Sequence, residues 1–219
     1  MAILLSIFAY LLGSIPTGVI LAKAFGNVDP RTMGSKNIGA TNVFRTAGKK
    51  LGVFTLLGDI LKGLIPVAIA RGTLDSYFWI GAVALAAFLG HLYPIFLKFR
   101  GGKGIATGLG AFLALSPLSA VLSLLIFGAV VYKWRFISLG SLTATASFPV
   151  LLALLNPHRT YIPFAIIIGA LIFYRHRENI QRLLIGKEAR FGEKAQPLEP
   201  SAANPQTGTD PGEKIWKSP

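Results

Sequence analysis

Apolar runs long enough to cross a bilayer recur along this chain, and that recurrence restricts its fold more than any other feature. A spanning helix needs about 20 mostly apolar residues. Segments 3–25, 51–70, 77–97 and 137–155 meet that requirement. The first is interrupted by Gly13-Ser14-Ile15-Pro16-Thr17-Gly18, the second carries Asp59 and Lys62, and the third has His91 and Pro94 near its end. Segment 161–174 is shorter, but Pro163 favours a helix start there. Composition agrees: 53% of the 219 residues are hydrophobic and 14% are charged, against about 25% charged in soluble domains. No cysteine is present, which excludes a disulfide framework, a Cys nucleophile and thiolate metal sites. No signal-peptide cleavage pattern follows the first segment, so it is expected to be retained.

Segment 104–132 reads either as one long helix or as two short ones split at Ser116-Pro117. Charge decides, because Lys and Arg mark cytoplasmic loops. Four basic stretches stand between the apolar runs: 23–50 with six Lys/Arg, 98–103 with three, 133–135 with two and 175–194 with six. Two helices in 104–132 place all four on one side and leave only Arg71 and Arg159 on the other. The expected fold class is therefore all-α: a polytopic membrane bundle of seven transmembrane helices, N-terminus outside and C-terminus cytoplasmic. The fourth helix, about 12 residues, is too short to cross the core alone. The expected domains are a membrane domain over 1–194 and a disordered cytoplasmic tail over 195–219, which is rich in Pro, Ser, Thr, Asn and Gly.

Three loops on the basic side are too chemical for connectors. Residues 34–42 read GSKNIGATN. Small residues let backbone N–H groups turn toward one point as an anion nest does, with Ser35, Asn37, Thr41 and Asn42 as side-chain donors and Arg45, Lys49 and Lys50 adding charge. The alternative is a polar connector in which Asn42 caps a helix. Residues 90–107 read GHLYPIFLKFRGGKGIAT, with Gly101, Gly102, Lys103 and Gly104 just before a helix. A helix N-terminus attracts anions, although the spacing is not that of a Walker A loop; a basic loop on anionic lipid is the alternative. In 175–188, helical spacing puts Arg175, Asn179 and Arg182 on one face; read alone, this is a snorkelling juxtamembrane helix. Ser138 and Ser141 begin the sixth helix and read as N-capping residues. Asp59 and Lys62, three apart, read as a structural ion pair facing the bundle.

Together the loops predict a cytoplasmic site that holds phosphate beside lipid. A metal site is not supported, because His91, His158 and His176 are scattered without carboxylates. The His-x-x-x-x-Asp pattern of many glycerolipid acyltransferases is absent, since Phe96, Pro163 and Gln181 stand five residues after the histidines. No Gly-x-Ser-x-Gly elbow occurs. An anion transporter is disfavoured by the absence of an internal repeat, and nucleic-acid binding by the absence of a soluble basic domain. A structural lipid-binding bundle stays open at this point.

The three loops, in this order and spacing, resemble the bacterial acyl-phosphate:glycerol-3-phosphate acyltransferases. Gly13-Ser14-Ile15-Pro16 and Asp59-x-x-Lys62-Gly63 fit the same family, and the resemblance covers about residues 1–193. It implies transfer of a fatty acyl group from acyl phosphate to the 1-hydroxyl of glycerol 3-phosphate, giving lysophosphatidic acid and phosphate. It further implies no metal, cofactor or acyl-CoA requirement, residence in the bacterial cytoplasmic membrane, and a functional link to the enzyme that makes acyl phosphate. Residue by residue, it implies that Ser35, Asn37, Gly39, Ala40, Thr41 and Asn42 hold the donor phosphate, with His176 and Asn179 close by. Arg45, Lys103 and Ser141, supported by Gly101, Gly102 and Gly104, bind the acceptor phosphate. Ser35, Lys103 and His176 are the expected catalytic residues. His176 is the general-base candidate by residue type; the acceptor's own phosphate is the alternative and is favoured.

Overall fold

A computed structural model describes residues 1–192, and every regular element in that range is helical. The expected tail, 195–219, lies outside the described residues. The first apolar segment is two helices, α1 (Ala2–Gly13) and α2 (Thr17–Gly26), broken where Ser14, Ile15 and Pro16 interrupt the hydrogen-bond ladder. A short α3 (Ala40–Thr46) leads into α4 (Lys49–Thr73). Next come α5 (Tyr77–Leu92), α6 (Ile105–Leu115), α7 (Pro117–Trp134) and α8 (Ile137–Leu155). The last helices among the described residues are α9 (Ile162–Arg175) and α10 (Arg177–Leu184). The expected break at Ser116-Pro117 is present, with Pro117 opening α7, and Pro163 lies in the first turn of α9.

Among the described residues, five segments are long and apolar enough to cross a membrane: Ala2–Gly26, Lys49–Thr73, Tyr77–Leu97, Pro117–Trp134 and Ile137–Leu155. The polarity of the bundle is inverted relative to a soluble protein. Leu4, Phe54, Leu125, Val150 and Leu154 are exposed, while Thr55, Asp59, Lys62, His91, Thr107 and Ser119 are buried. Such an arrangement is stable only where the outside is hydrocarbon.

With no hydrophobic drive between helices in lipid, small residues let backbones approach. A Cβ on Gly63 of α4 would sit 2.1 Å from the Thr107 carbonyl oxygen of α6, and one on Gly110 of α6 would sit 2.0 Å from the Ile60 carbonyl of α4. Gly13 and Gly90 make the same reciprocal contact between α1 and α5. Around α5 the core fills with Ala87, Phe88, Leu92, Leu115, Phe148 and Ile172, and Phe112 stacks on Phe148 at 3.7 Å.

The short α6 ends inside the protein, where its last carbonyls need partners. Arg71, in the last turn of α4, donates to the Ala114 carbonyl at 2.5 Å, and Asn156 donates to the Leu115 carbonyl at 3.4 Å. At its other end Gly104, at φ +82°, turns the chain into the helix.

Candidate anion site at the glycine-rich loop

The loop before α6 is held from two sides. The Gly101 and Gly102 amides donate to the Leu92 and His91 carbonyls at 3.1 and 3.2 Å. The Arg175 guanidinium donates to the Gly101 and Gly102 carbonyls at 2.6 and 3.0 Å. Gly101 and Gly102 therefore have no N–H left for a ligand. Among the described residues, the N–H groups of the first turn of α6, Ile105 to Thr107, have no backbone acceptor.

Lys103 projects from this ribbon and donates to Asn179 Oδ1 at 2.5 Å. An ammonium has three donors, so two remain for an anion. Burial, reinforced by the Arg182 charge, pushes the Lys103 pKa down to about 8. Asn179 in turn donates to Glu188 Oε1 at 2.6 Å. Glu188 also accepts from Ser138 Oγ at 2.6 Å and from Arg182 Nε at 2.8 Å. Burial raises the Glu188 pKa, but the hydrogen bonds from Ser138, Asn179 and Arg182 and the Arg182 charge outweigh it and hold the carboxyl below its ordinary value. Lys103, Arg175 and Arg182 stand here against the carboxylates of Glu188 and the exposed Glu178, a local excess of positive charge suited to phosphate.

His176 closes the same region. Its Nδ1 lies 2.9 Å from the Ile172 carbonyl oxygen, which can only accept, so Nδ1 carries the proton and Nε2 keeps a lone pair. Burial, reinforced by the Lys103 charge, lowers its pKa to about 4. The imidazole is neutral near pH 7, and a base that weak removes a hydroxyl proton poorly.

The 34–42 loop is organised by Asn42, which is 2% exposed. Its amide nitrogen donates to the Pro30, Met33 and Asn37 carbonyls at 2.7, 3.2 and 2.8 Å, and its Oδ1 accepts from the Ser35 amide at 2.9 Å. Asn37 Oδ1 accepts from the Gly39 amide at 2.8 Å. The alternative in which Asn42 caps a helix does not hold: Gly39 holds the cap position, Ala40 begins α3, and Asn42 lies inside it. Ser35 and Thr41 are exposed. Arg45 is half-buried in the last turn of α3 and makes no hydrogen bond or ion pair among the described residues.

The N-capping expectation at α8 is also corrected. Phe136 holds the cap position without a side-chain bond. Ser138 instead donates to Glu188, and Ser141, one turn further, donates to the Ile137 carbonyl at 2.9 Å. Arg175 and Asn179 do not share one helix, because α9 stops at Arg175 and α10 starts at Arg177. The structure thus brings Gly101, Gly102, Lys103, His176 and Asn179 together. No hydrogen bond among the described residues joins them to Ser35, Asn37, Thr41, Asn42 or Arg45. Ser138, Arg182 and Glu188 were not expected in the site; the signal was a lone Ser–acid–Arg set 50 residues apart at its widest.

Residues 3–186 match the family described as Glycerol-3-phosphate acyltransferase. A glycerol-3-phosphate acyltransferase of Geotalea daltonii is 56% identical over 189 residues, covering 86% of this chain and 97% of the relative. One from Syntrophotalea carbinolica is 52% identical, covering 84% of this chain and 94% of the relative. A crystal structure of an integral membrane glycerol 3-phosphate acyltransferase in its glycerol 3-phosphate form superposes with a TM-score of 0.84 at 50% identity, covering 87% of this chain and 96% of that one. A lysophosphatidic acid form superposes with a TM-score of 0.81 at 47% identity, covering 87% and 95%.

Proposed function

The chain belongs to the glycerol-3-phosphate acyltransferase family, and from that premise we propose that it acylates the 1-hydroxyl of glycerol 3-phosphate with acyl phosphate as donor. The products are lysophosphatidic acid and inorganic phosphate, an early step of phospholipid synthesis. The observation that carries the reading is the Lys103 ammonium, half-buried beside the Arg175 and Arg182 guanidiniums, with two donors unused.

The acceptor phosphate pairs with Lys103, assisted by Arg45, Ser141 and the first-turn amides of α6, with Gly101, Gly102 and Gly104 shaping the approach. The donor phosphate lies on Ser35, Asn37, Gly39, Ala40 and Thr41, on the loop that Asn42 organises, with His176 and Asn179 toward the acceptor side. The acceptor hydroxyl oxygen attacks the acyl carbonyl carbon, and the bond from that carbon to the phosphate oxygen breaks. The hydroxyl proton passes to the acceptor's own phosphate, a stronger base than His176 at its lowered pKa. Phosphate leaves without a covalent protein intermediate, because acyl phosphate is already activated. Positioning and charge neutralisation supply the acceleration. Ser35 and Lys103 are the catalytic side chains of this scheme.

The proposed topology has seven crossings within a 1–194 domain, N-terminus outside and C-terminus cytoplasmic, with the reaction on the cytoplasmic side of the bacterial inner membrane. Of the 20 Lys/Arg in residues 1–194, 17 fall on that side. The enzyme that makes acyl phosphate is the proposed functional partner. Purified protein given glycerol 3-phosphate should release phosphate one-for-one with lysophosphatidic acid when supplied with acyl phosphate. Equal rates with acyl-CoA would refute the donor assignment.

A further inference from the structure

Asp59, Lys62 and His91 are 2%, 5% and 3% exposed and sit within helices of the bundle. Lys62 Nζ lies 2.8 Å from Asp59 Oδ1 and donates to the Ile15 carbonyl at 2.9 Å. His91 Nδ1 lies 3.8 Å from Asp59 Oδ1 and 3.2 Å from Thr107 Oγ1. Ionisable groups at membrane depth are costly and mark function by default. A purely structural ion pair needs only Asp59 and Lys62. His91 and Thr107 extend the group toward the glycine-rich loop.

That extension reaches the loop itself. A Cβ on Gly102 would lie 2.2 Å from His91 Nε2, so the ring already packs against the Gly102 backbone. The Gly102 amide donates to the His91 carbonyl at 3.2 Å, and the Gly101 amide to the neighbouring Leu92 carbonyl. The opposite edge of the ribbon is fixed by Arg175. Lys103 is the next residue. At the other end of the group, the Ile15 carbonyl belongs to the α1–α2 break, and Gly18 of α2 is packed against the Ile38 carbonyl of the 34–42 loop. One buried polar group thus touches the supports of both loops.

We propose that His91, held by Thr107 beside the Asp59–Lys62 pair, is a positioning residue that fixes the Gly101–Gly102 ribbon and so the location of Lys103 against the acceptor phosphate. The inference rests on the assignment of Lys103 to that phosphate. His91 does not touch substrate; it sets the rest geometry of a group that does, and small misplacement of such a group is expensive in rate and binding.

The test uses full-length protein in detergent, with glycerol 3-phosphate and acyl phosphate varied separately. His91→Ala should raise KM for glycerol 3-phosphate about tenfold and leave KM for acyl phosphate within about twofold. His91→Gln, which restores a polar atom near the ring position, should recover most of the loss. Thr107→Val, isosteric and without the hydroxyl, should shift the same constant about threefold, and it keeps the test decisive where His91→Ala does not fold. An unchanged acceptor KM in folded Thr107→Val, or in His91→Ala where it folds, would overturn the proposal. So would equal rises in both KM values, or a loss of active protein and thermal midpoint with both KM values intact. Lys103→Ala is measured alongside. Near-normal kinetics there would fail the Lys103 assignment itself, whereas loss there with unaltered acceptor kinetics in Thr107→Val and in folded His91→Ala would fail only this inference.

Discussion

Replacing Asn42 by alanine removes the four hydrogen bonds that gather residues 30–42 around one side chain. Two amide hydrogens serve three carbonyls, so the loss amounts to fewer independent bonds than contacts. Leaving a buried polar group without its partner costs about 1–3 kcal/mol. Only the Pro30 contact is fully buried, and water can reach the others. The loop is therefore destabilised by roughly 2–3 kcal/mol, which converts to about 30- to 140-fold more frequent opening at 1.4 kcal/mol per decade. Amide hydrogen exchange at Ser35 and Gly39 should accelerate by that factor, and KM for acyl phosphate should rise. Asn42→Asp should be at least as damaging, since it keeps the bond from Ser35 but sets a carboxylate against the Pro30, Met33 and Asn37 carbonyls. Unchanged exchange at Ser35 in Asn42→Ala would refute the organising role and leave Asn42 as a direct substrate contact. An Asn42→Asp variant milder than Asn42→Ala would refute it as well.

Two other perturbations follow from the geometry. Lys103 is charged below its pKa of about 8 and neutral above it, so KM for glycerol 3-phosphate should be flat from about pH 6.5 to 7.5 and climb above about pH 8, by up to tenfold per unit; a constant KM through pH 9.5 would contradict a pairing role for Lys103. Gly63→Val puts side-chain atoms into the Thr107 carbonyl, 2.1 Å from the new Cβ, and should lower the thermal midpoint by an amount set by about 1–3 kcal/mol of overpacking. Gly128→Ala, with nothing within 4 Å of the new Cβ, serves as the control and should be neutral or slightly stabilising.

What the sequence disclosed was local. Pro117, Pro163 and the Ser14–Pro16 break stand where proline or glycine ends one ladder and starts another, and each appears in the structure at its expected place. The Asp59–Lys62 pair was legible because its spacing is three and unpaired charges are expensive at membrane depth. What escaped was contact made by packing. His91 joins that pair only because α5 lies against α4, and Glu188 meets Ser138 across 50 positions of chain. The serine reading failed for a specific reason: a hydroxyl near a helix start has capping as its default, but a tertiary carboxylate and an i−4 carbonyl compete for it, and here they win. The Asn42 reading failed by position, since an extended Gly39 takes the cap and leaves Asn42 free to reach back to Pro30.

The length of α6 links the fold to the chemistry. Its 11 residues rise about 16 Å, roughly half of a hydrocarbon core of about 30 Å. Its last carbonyls are held by Arg71 and Asn156, at the ends of α4 and α8 that the proposed topology places outside, so its shortness falls at the N-terminal end. Its N-terminus, with the unpaired amides and Lys103 beside it, then lies where α5, α8, α9 and α10 converge rather than out in solvent. In the proposed topology that point borders both phases. In the proposed scheme a phosphorylated acceptor arrives from water onto Lys103, and an acyl chain is left in lipid along the exposed apolar faces. A full-length helix in place of α6 would push Lys103 beyond the headgroups and separate it from the chain it must serve. On that scheme the short helix, the two carbonyl caps and the glycine ribbon act as one device, which holds a cation at the depth where a water-soluble phosphate and a membrane-bound acyl group can meet.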